Sequence, residues 1–257
     1  MKGGCAVSAN NISTERVLNK LDEYFGRNDY DGAEKHILFW LDEAKNINDD
    51  RTVLLLSNEL MGLYRKTNKK EKAIDTVKNV LALVEKMGID GDVGAGTSFL
   101  NCATVYKAFG LIDESLKLFE KTTKIYEKEL PPGDKRFGGL YNNMAISLTD
   151  SGRFDEAYEL YDKAISVMSK IESGELEVAI TYLNIANAKE AELGIEDSCE
   201  IISELLEKAR AILENHEKKD GYYAFVCDKC ASVFGYYGYF AYEKELIERA
   251  KGIYEGA

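Results

Sequence analysis

FLNCATVYKAFGLIDESLKLFEKTTKIY, residues 99–126, and YNNMAISLTDSGRFDEAYELYDKAISVM, residues 141–168, are one pattern written twice at an interval of 42 residues. In the first copy Phe99, Cys102, Ala103, Tyr106 and Phe109 fall at three- and four-residue steps, which predicts an amphipathic helix. Gly110 ends that helix, because glycine takes positive φ without steric cost. Asp113 then opens a second helix in which Ser115, Leu118, Phe119, Thr122, Ile125 and Tyr126 keep the same rhythm. The second copy repeats this with Tyr141, Met144, Ala145 and Leu148, a turn at Gly152, then Ala157, Tyr161, Ala164 and Met168.

The pattern extends in both directions. A turn column of Asn28, Asn68, Gly110, Gly152, Gly194 and Gly238 recurs at intervals of 40, 42, 42, 42 and 44 residues. Five residues after each member comes Ala33, Ala73, Ser115, Ala157, Cys199 and Glu243. A fixed period of this length marks a repeat array, in which each unit buries its apolar face only against its neighbours. Small residues let two helices cross closely, and large ones fill the space beside the crossing.

Ala103, Tyr106, Gly110, Ser115, Phe119 and Thr122, matched by Ala145, Leu148, Gly152, Ala157, Tyr161 and Ala164, resemble the tetratricopeptide repeat. The 42-residue period is similar to the longer repeats of kinesin light chains and of bacterial regulatory and adaptor proteins. The resemblance implies an all-α, right-handed superhelical solenoid of about six antiparallel helical hairpins. The expected organisation is a single solenoid over 12–256, preceded by a disordered or frayed segment at 1–11. Its units run about 12–47, 50–88, 93–129, 135–171, 175–215 and 220–256. Leu21 and Met61 replace the usual small residue in the first two units, predicting looser packing there. Extra residues before Gly194 and near Ile201–Leu205 predict a bulge or a longer second helix in the fifth. Glu243 in the alanine column suits a terminal helix facing water, and Trp40 aligns with a buried inter-repeat column.

Composition narrows the function. The 257 residues are 45% apolar and 30% charged, a folded chain rather than a disordered one. A net charge of −12 argues against nucleic acid and anionic membrane as partners. No stretch is apolar enough for a membrane span, and Met1–Asn10 has no signal-peptide core. Five cysteines, mostly inside helical patterns, fit reduced thiols and a cytoplasmic location. Cys227 and Cys230 form a lone C-x-x-C with no second pair to complete a zinc site, so core packing is expected and no metal. Two histidines in different units, with no nucleophile or phosphate-binding motif, give no basis for catalytic residues or a cofactor.

The column two residues before the small one reads Asn19, Glu59, Asn101, Asn143, Asn184 and Lys229, with Asn58, Asn142 and Asn187 beside it. Asparagine competes with its own helix backbone, so repeating it within helices calls for a reason. A carboxamide both donates and accepts, and one side chain can therefore hold both polar groups of a peptide unit. The family resemblance implies that first helices line the concave groove, where kinesin light chains and bacterial peptide-pheromone receptors use asparagines in this manner. The same asparagines could instead bridge neighbouring first helices. Asn101, Asn143, Asn184, Asn142, Asn187, Lys107, Asn19, Asn58 and Lys229 are the candidate peptide-binding residues. Lys107, Arg65, Lys66 and Lys229 could receive a carboxylate, although the run from Arg65 to Lys72 also reads as a solvated turn.

The expected function is a non-catalytic interaction module clasping an extended peptide or flexible protein segment in its groove. Two alternatives remain open. One is an assembly scaffold that forms a homodimer through the tyrosine-rich C-terminal end; the other is a peptide-sensing regulator.

Overall fold

The computed structural model describes residues 12–256, and the expectation for 1–11 lies outside them. The described chain is all helix and turn. It falls into two compact units, divided in sequence between Leu111 and Ile112. The first contains α1 (Thr14–Gly26), α2 (Tyr30–Asn46), α3 (Asp50–Lys66), α4 (Lys70–Met87) and α5 (Val93–Ala108). The second contains α6 (Ile112–Glu129), α7 (Arg136–Asp150), α8 (Phe154–Met168), α9 (Glu175–Leu193), α10 (Ile195–Asn215), α11 (Gly221–Tyr236) and α12 (Phe240–Gly256). Consecutive helices pack as hairpins: α1 with α2 and α3 with α4 in the first unit, then α7 with α8, α9 with α10 and α11 with α12 in the second.

The turn column explains why the hairpins form. All six of its members have positive φ: Asn28 at 55°, Asn68 at 54°, Gly110 at 77°, Gly152 at 76°, Gly194 at 80° and Gly238 at 88°. Asparagine serves where glycine is absent because it tolerates the left-handed region better than other side chains. At five of these turns the amide after the column residue reaches back to the helix it leaves, closing a Schellman loop. These bonds run from Asp29 to Tyr24, Lys69 to Tyr64, Leu111 to Tyr106, Arg153 to Leu148 and Tyr239 to Phe234, at 2.8–2.9 Å.

The fifth turn differs. Gly194 has ψ 163° rather than a left-handed value, and α10 starts at the next residue. One residue is missing from the turn, so the following helix is advanced by one position. Ser198, not Cys199, therefore takes the small buried place; Cys199 is exposed. The Ser198 hydroxyl donates to the Gly194 carbonyl at 2.5 Å. At 21 residues α10 absorbs the extra sequence as a longer helix.

Three more expectations are corrected by the packing. Leu21 and Met61 are fully buried, so the first two hairpins accommodate a large residue without opening. Glu243 is only half-exposed and its carboxylate lies against Gly235, whose missing side chain leaves the room. Trp40 is half-buried rather than buried: its ring meets Phe39 edge-on at 5.2 Å, and Phe39 is itself exposed.

The core of the second unit is continuous along α9–α12, with Leu183, Leu206, Tyr223, Cys227, Phe234 and Leu246 among its buried members. Ala145, Leu148, Ala157, Tyr161, Leu116 and Ala188 form a second cluster around α7 and α8. Ala145 and Ala157 have no exposed surface, as the close crossing of small residues requires.

A buried carboxylate ties the first unit together. Glu34 on α2 is 8% exposed. It accepts hydrogen bonds from Lys69 Nζ at 2.5 Å, Lys72 Nζ at 2.7 Å and Tyr64 Oη at 3.1 Å. Burial alone would raise its pKa, but these three bonds outweigh it and hold the group at about 2, against an ordinary 4.5. A depressed folded pKa stabilises above the unfolded value, and the contribution is lost as pH falls from about 4.5 toward 2. The loss is expected to be on the order of 2 kcal/mol, since both lysines retain some solvent. Urea unfolding across that pH range should show a decline in the wild type that is shallower in Glu34→Gln.

Candidate functional site

The asparagine column resolves into two carboxamide pairs, one in each unit. In the first unit Asn101 Nδ2 on α5 donates to Asn58 Oδ1 on α3 at 2.9 Å. Asn58 Nδ2 in turn donates to Leu54 O at 2.8 Å and Ser98 Oγ at 3.0 Å. In the second unit Asn184 Nδ2 on α9 donates to Asn142 Oδ1 on α7 at 3.0 Å. Asn142 is 6% exposed, while Asn58, Asn101 and Asn184 are half-buried.

Each pair spends one donor of the later asparagine. The Oδ1 atoms of Asn101 and Asn184 have no protein partner among the described residues. Half-buried carboxamides held by one bond, with an acceptor left over, are suited to a main-chain amide. The bridging role and an outward-facing acceptor thus coexist in the same side chains.

The remaining candidates divide. Asn143 turns its Nδ2 back to Gly139 O on its own helix, at 2.9 Å. Asn187 is exposed, and its carboxamide oxygen lies 3.0 Å from Tyr237 Oη. Asn19 and Lys229 are exposed, and Lys107 is half-buried on α5. Glu59, in the same column of α3, is half-buried; burial, helped by Asp22, raises its pKa. Lys69 and Lys72, read from sequence as part of a solvated run, are instead the counter-ions of Glu34.

The second unit adds carboxylates and tyrosines to this arrangement. Tyr236 and Tyr237 on α11 donate to Glu190 Oε1 and Oε2 on α9, at 2.7 and 2.8 Å. Tyr222 donates to Glu177 on α9, and its ring stacks on the exposed Phe225 at 6.3 Å. Glu177 was not legible from sequence, because a glutamate in the first turn of a helix reads as an ordinary N-terminal charge.

Three thiols and both imidazoles are engaged in packing or hydrogen bonding. Cys227 and Cys230 are buried, and burial pushes the Cys230 thiol up to about 12. Among the described residues no three His, Cys, Asp or Glu side chains are placed to hold a metal ion. His216 is 7% exposed, lies 2.8 Å from Glu175 Oε1 and stacks on Tyr223 at 5.6 Å. His36 Nε2 lies 3.0 Å from Val17 O. No described helix is long and apolar enough to cross a membrane.

Helical hairpins closed by a left-handed turn residue, crossing on small side chains, define a tetratricopeptide-type solenoid fold. Residues 139–171 match the family model described as Tetratricopeptide repeat. Over 130 residues the chain is 25% identical to the kinesin light chain-related 2 protein of Arabidopsis thaliana, covering 50% of this chain and 19% of that protein. The chain thus spans about a fifth of the length of that relative. Among solved structures it is similar to BtubC (BKLC) from P. vanneervenii, with a TM-score of 0.67 and 16% identity over 80% of this chain and 82% of that one. It is also similar to a Rap protein complexed with competence and sporulation factor, with a TM-score of 0.61 and 14% identity over 93% and 63% of the two chains. The tetratricopeptide fold generally mediates protein–protein interaction, and its repeats are typically non-enzymatic.

Proposed function

We propose that this protein is a non-catalytic binding module that holds an extended peptide or flexible protein segment on the first-helix faces of its hairpins. The observation that carries this reading is the pair of inter-helix carboxamides in each unit, Asn58–Asn101 and Asn142–Asn184, each leaving an acceptor without a protein partner among the described residues. In each unit the later asparagine holds a main-chain amide, and side-chain preference comes from what surrounds the pair. The similarity to a Rap protein that was solved with competence and sporulation factor supports a ligand-binding role for such a scaffold. The four cysteines among the described residues are free thiols, three of them buried, which suits a reducing compartment, and we place the protein in the cytoplasm.

Asn142→Ala/Asn184→Ala is the informative variant. Removing both members leaves no orphaned partner, so stability should change little, whereas affinity should fall by about 1–2 kcal/mol per lost contact. Capture from native cytosol with wild-type and double-variant baits, read by mass spectrometry, should show a partner retained only by the wild type. Identical partner sets would defeat the proposal.

A second reading rests on α12. Phe240, Ile247 and Tyr254 recur every seven residues and are 70%, 46% and 53% exposed, a stripe suited to a second copy of the chain. Light scattering would show a dimer that is lost in Phe240→Ser/Ile247→Ser; a monomer throughout would dismiss it.

A further inference from the structure

Tyrosine–carboxylate pairs recur among the described residues, and three of them carry a cation. Tyr158 donates to Glu192, and Lys189 sits 3.8 Å above the Tyr158 ring while bonding Glu192 at 2.9 Å. Tyr242 donates to Glu214, with Arg249 bonded to that carboxylate at 2.8 Å and Arg210 4.8 Å from the ring. Tyr64 donates to Glu34, with Lys72 bonded to the carboxylate and 5.5 Å from the ring. The chemistry is shared: a ring face and a carboxylate pinned to each other offer a cation both its favourable contacts at once.

Two such arrangements have no cation. Glu177 with Tyr222, and Glu190 with Tyr236 and Tyr237, form no ion pair among the described residues, and no lysine or arginine lies over those three rings. Lys229, on the same stretch of α11, bonds neither carboxylate. Both arrangements are open to solvent: Tyr222 is 41% exposed, Tyr236 68%, and Phe225 beside Tyr222 51%.

Charge across the chain points the same way. Residues 112–257 hold 18 basic and 29 acidic side chains, against 15 and 16 in residues 1–111. The second unit therefore carries −11 of the net −12 and attracts a basic partner at long range.

We propose that the α9–α11 face binds a basic protein segment, with one arginine or lysine seated at Tyr222–Glu177 and another at Tyr236–Glu190–Tyr237. This deepens, and rests on, the reading of the first-helix face as a binding surface. Tyr222 and Tyr236 are separated by 14 residues of helix, or about 21 Å, which an extended chain spans in about six residues. The matching segment thus carries two basic residues about six positions apart. Arginine is favoured over lysine because its planar group stacks on a ring and hydrogen-bonds a carboxylate together.

The test uses the full chain and a displayed library of random dodecapeptides, with enriched peptides synthesised and titrated by fluorescence anisotropy. The expected result is enrichment of spaced arginines, with affinity falling about tenfold in Glu190→Gln and in Glu177→Gln, each of which keeps a tyrosine acceptor. Circular dichroism confirms that the variants fold, and Phe225→Ser supplies a second perturbation on the aromatic side. Enriched peptides that are acidic or apolar, or equal affinity for wild type and both Gln variants, would overturn the basic-segment proposal. If those same peptides lost affinity on Asn142→Ala/Asn184→Ala, the carboxamide reading would survive that outcome. Failure to enrich any peptide would overturn both.

Discussion

Phe234→Ala is expected to destabilise the second unit by about 3–5 kcal/mol, the range for truncating a buried aromatic. Phe234 has no exposed surface and stands in the large-residue column four positions before the turn glycine, where Tyr106 and Leu148 stand in other hairpins. Its ring meets Tyr242 edge-on at 4.8 Å and Tyr239 at 5.8 Å, so truncation empties the space between α11 and α12. Its carbonyl also accepts the Tyr239 amide that closes the turn. Phe234→Leu, which restores a side chain this column already tolerates, should cost less than about 1.5 kcal/mol. Urea unfolding decides: equal losses for Ala and Leu would mean that the column is not a packing position.

Gly174→Ala should be the second most damaging change. A methyl group there would lie 2.2 Å from the Met168 carbonyl oxygen and 3.0 Å from that of Ile171. Both obstacles are backbone, so no side-chain rotation relieves the clash. Gly174 has an ordinary φ of −73°, and space rather than torsion demands glycine. The loop is fixed on both sides: Ser173 holds φ 58°, and Gly174 O accepts the amides of Glu177 and Val178 that begin α9. The loss is expected to approach about 3 kcal/mol, at the upper end for overpacking. Gly139→Ala is the contrast. Nothing lies within 4 Å of its added carbon, so replacing glycine inside α7 should stabilise by about 0.5–1 kcal/mol. Thermal unfolding of the two variants should therefore move in opposite directions; a stable Gly174→Ala protein would show that the α8–α9 loop is free to rearrange.

The turns were legible because each needs one residue at positive φ, a demand only glycine and asparagine meet readily. The hairpins followed from the period between those turns. Register within a hairpin was less secure. Gly194 kept its column, but the shortened fifth turn moved the buried place from Cys199 to Ser198, a local change that a fixed period does not record. Glu34 was invisible for another reason. A glutamate on a second helix reads as solvent-facing, and its counter-ions Lys69 and Lys72 arrive from the next hairpin, where they read as surface charge.

The candidate site was legible as a column and not as a set of bonds. Asn58 pairs with Asn101, and Asn142 with Asn184, so the bridges join one column to the residue beside it in the preceding first helix. Asn143, an equal candidate by spacing, bonds its own helix at Gly139. Rotamers decide such matters, and repeat spacing places only the Cα atoms. The tyrosine–carboxylate contacts between α9 and α11 depend on the same detail.

The most direct test of main-chain recognition is backbone N-methylation of a bound peptide, scanned one residue at a time by calorimetry against wild type and Asn184→Ala. N-methylation deletes a donor and leaves the side chains intact. The account expects one position where methylation weakens wild-type binding by about tenfold and leaves Asn184→Ala unaffected. Losses of equal size in both proteins at every position would show that the Asn184 carboxamide does not hold the peptide backbone.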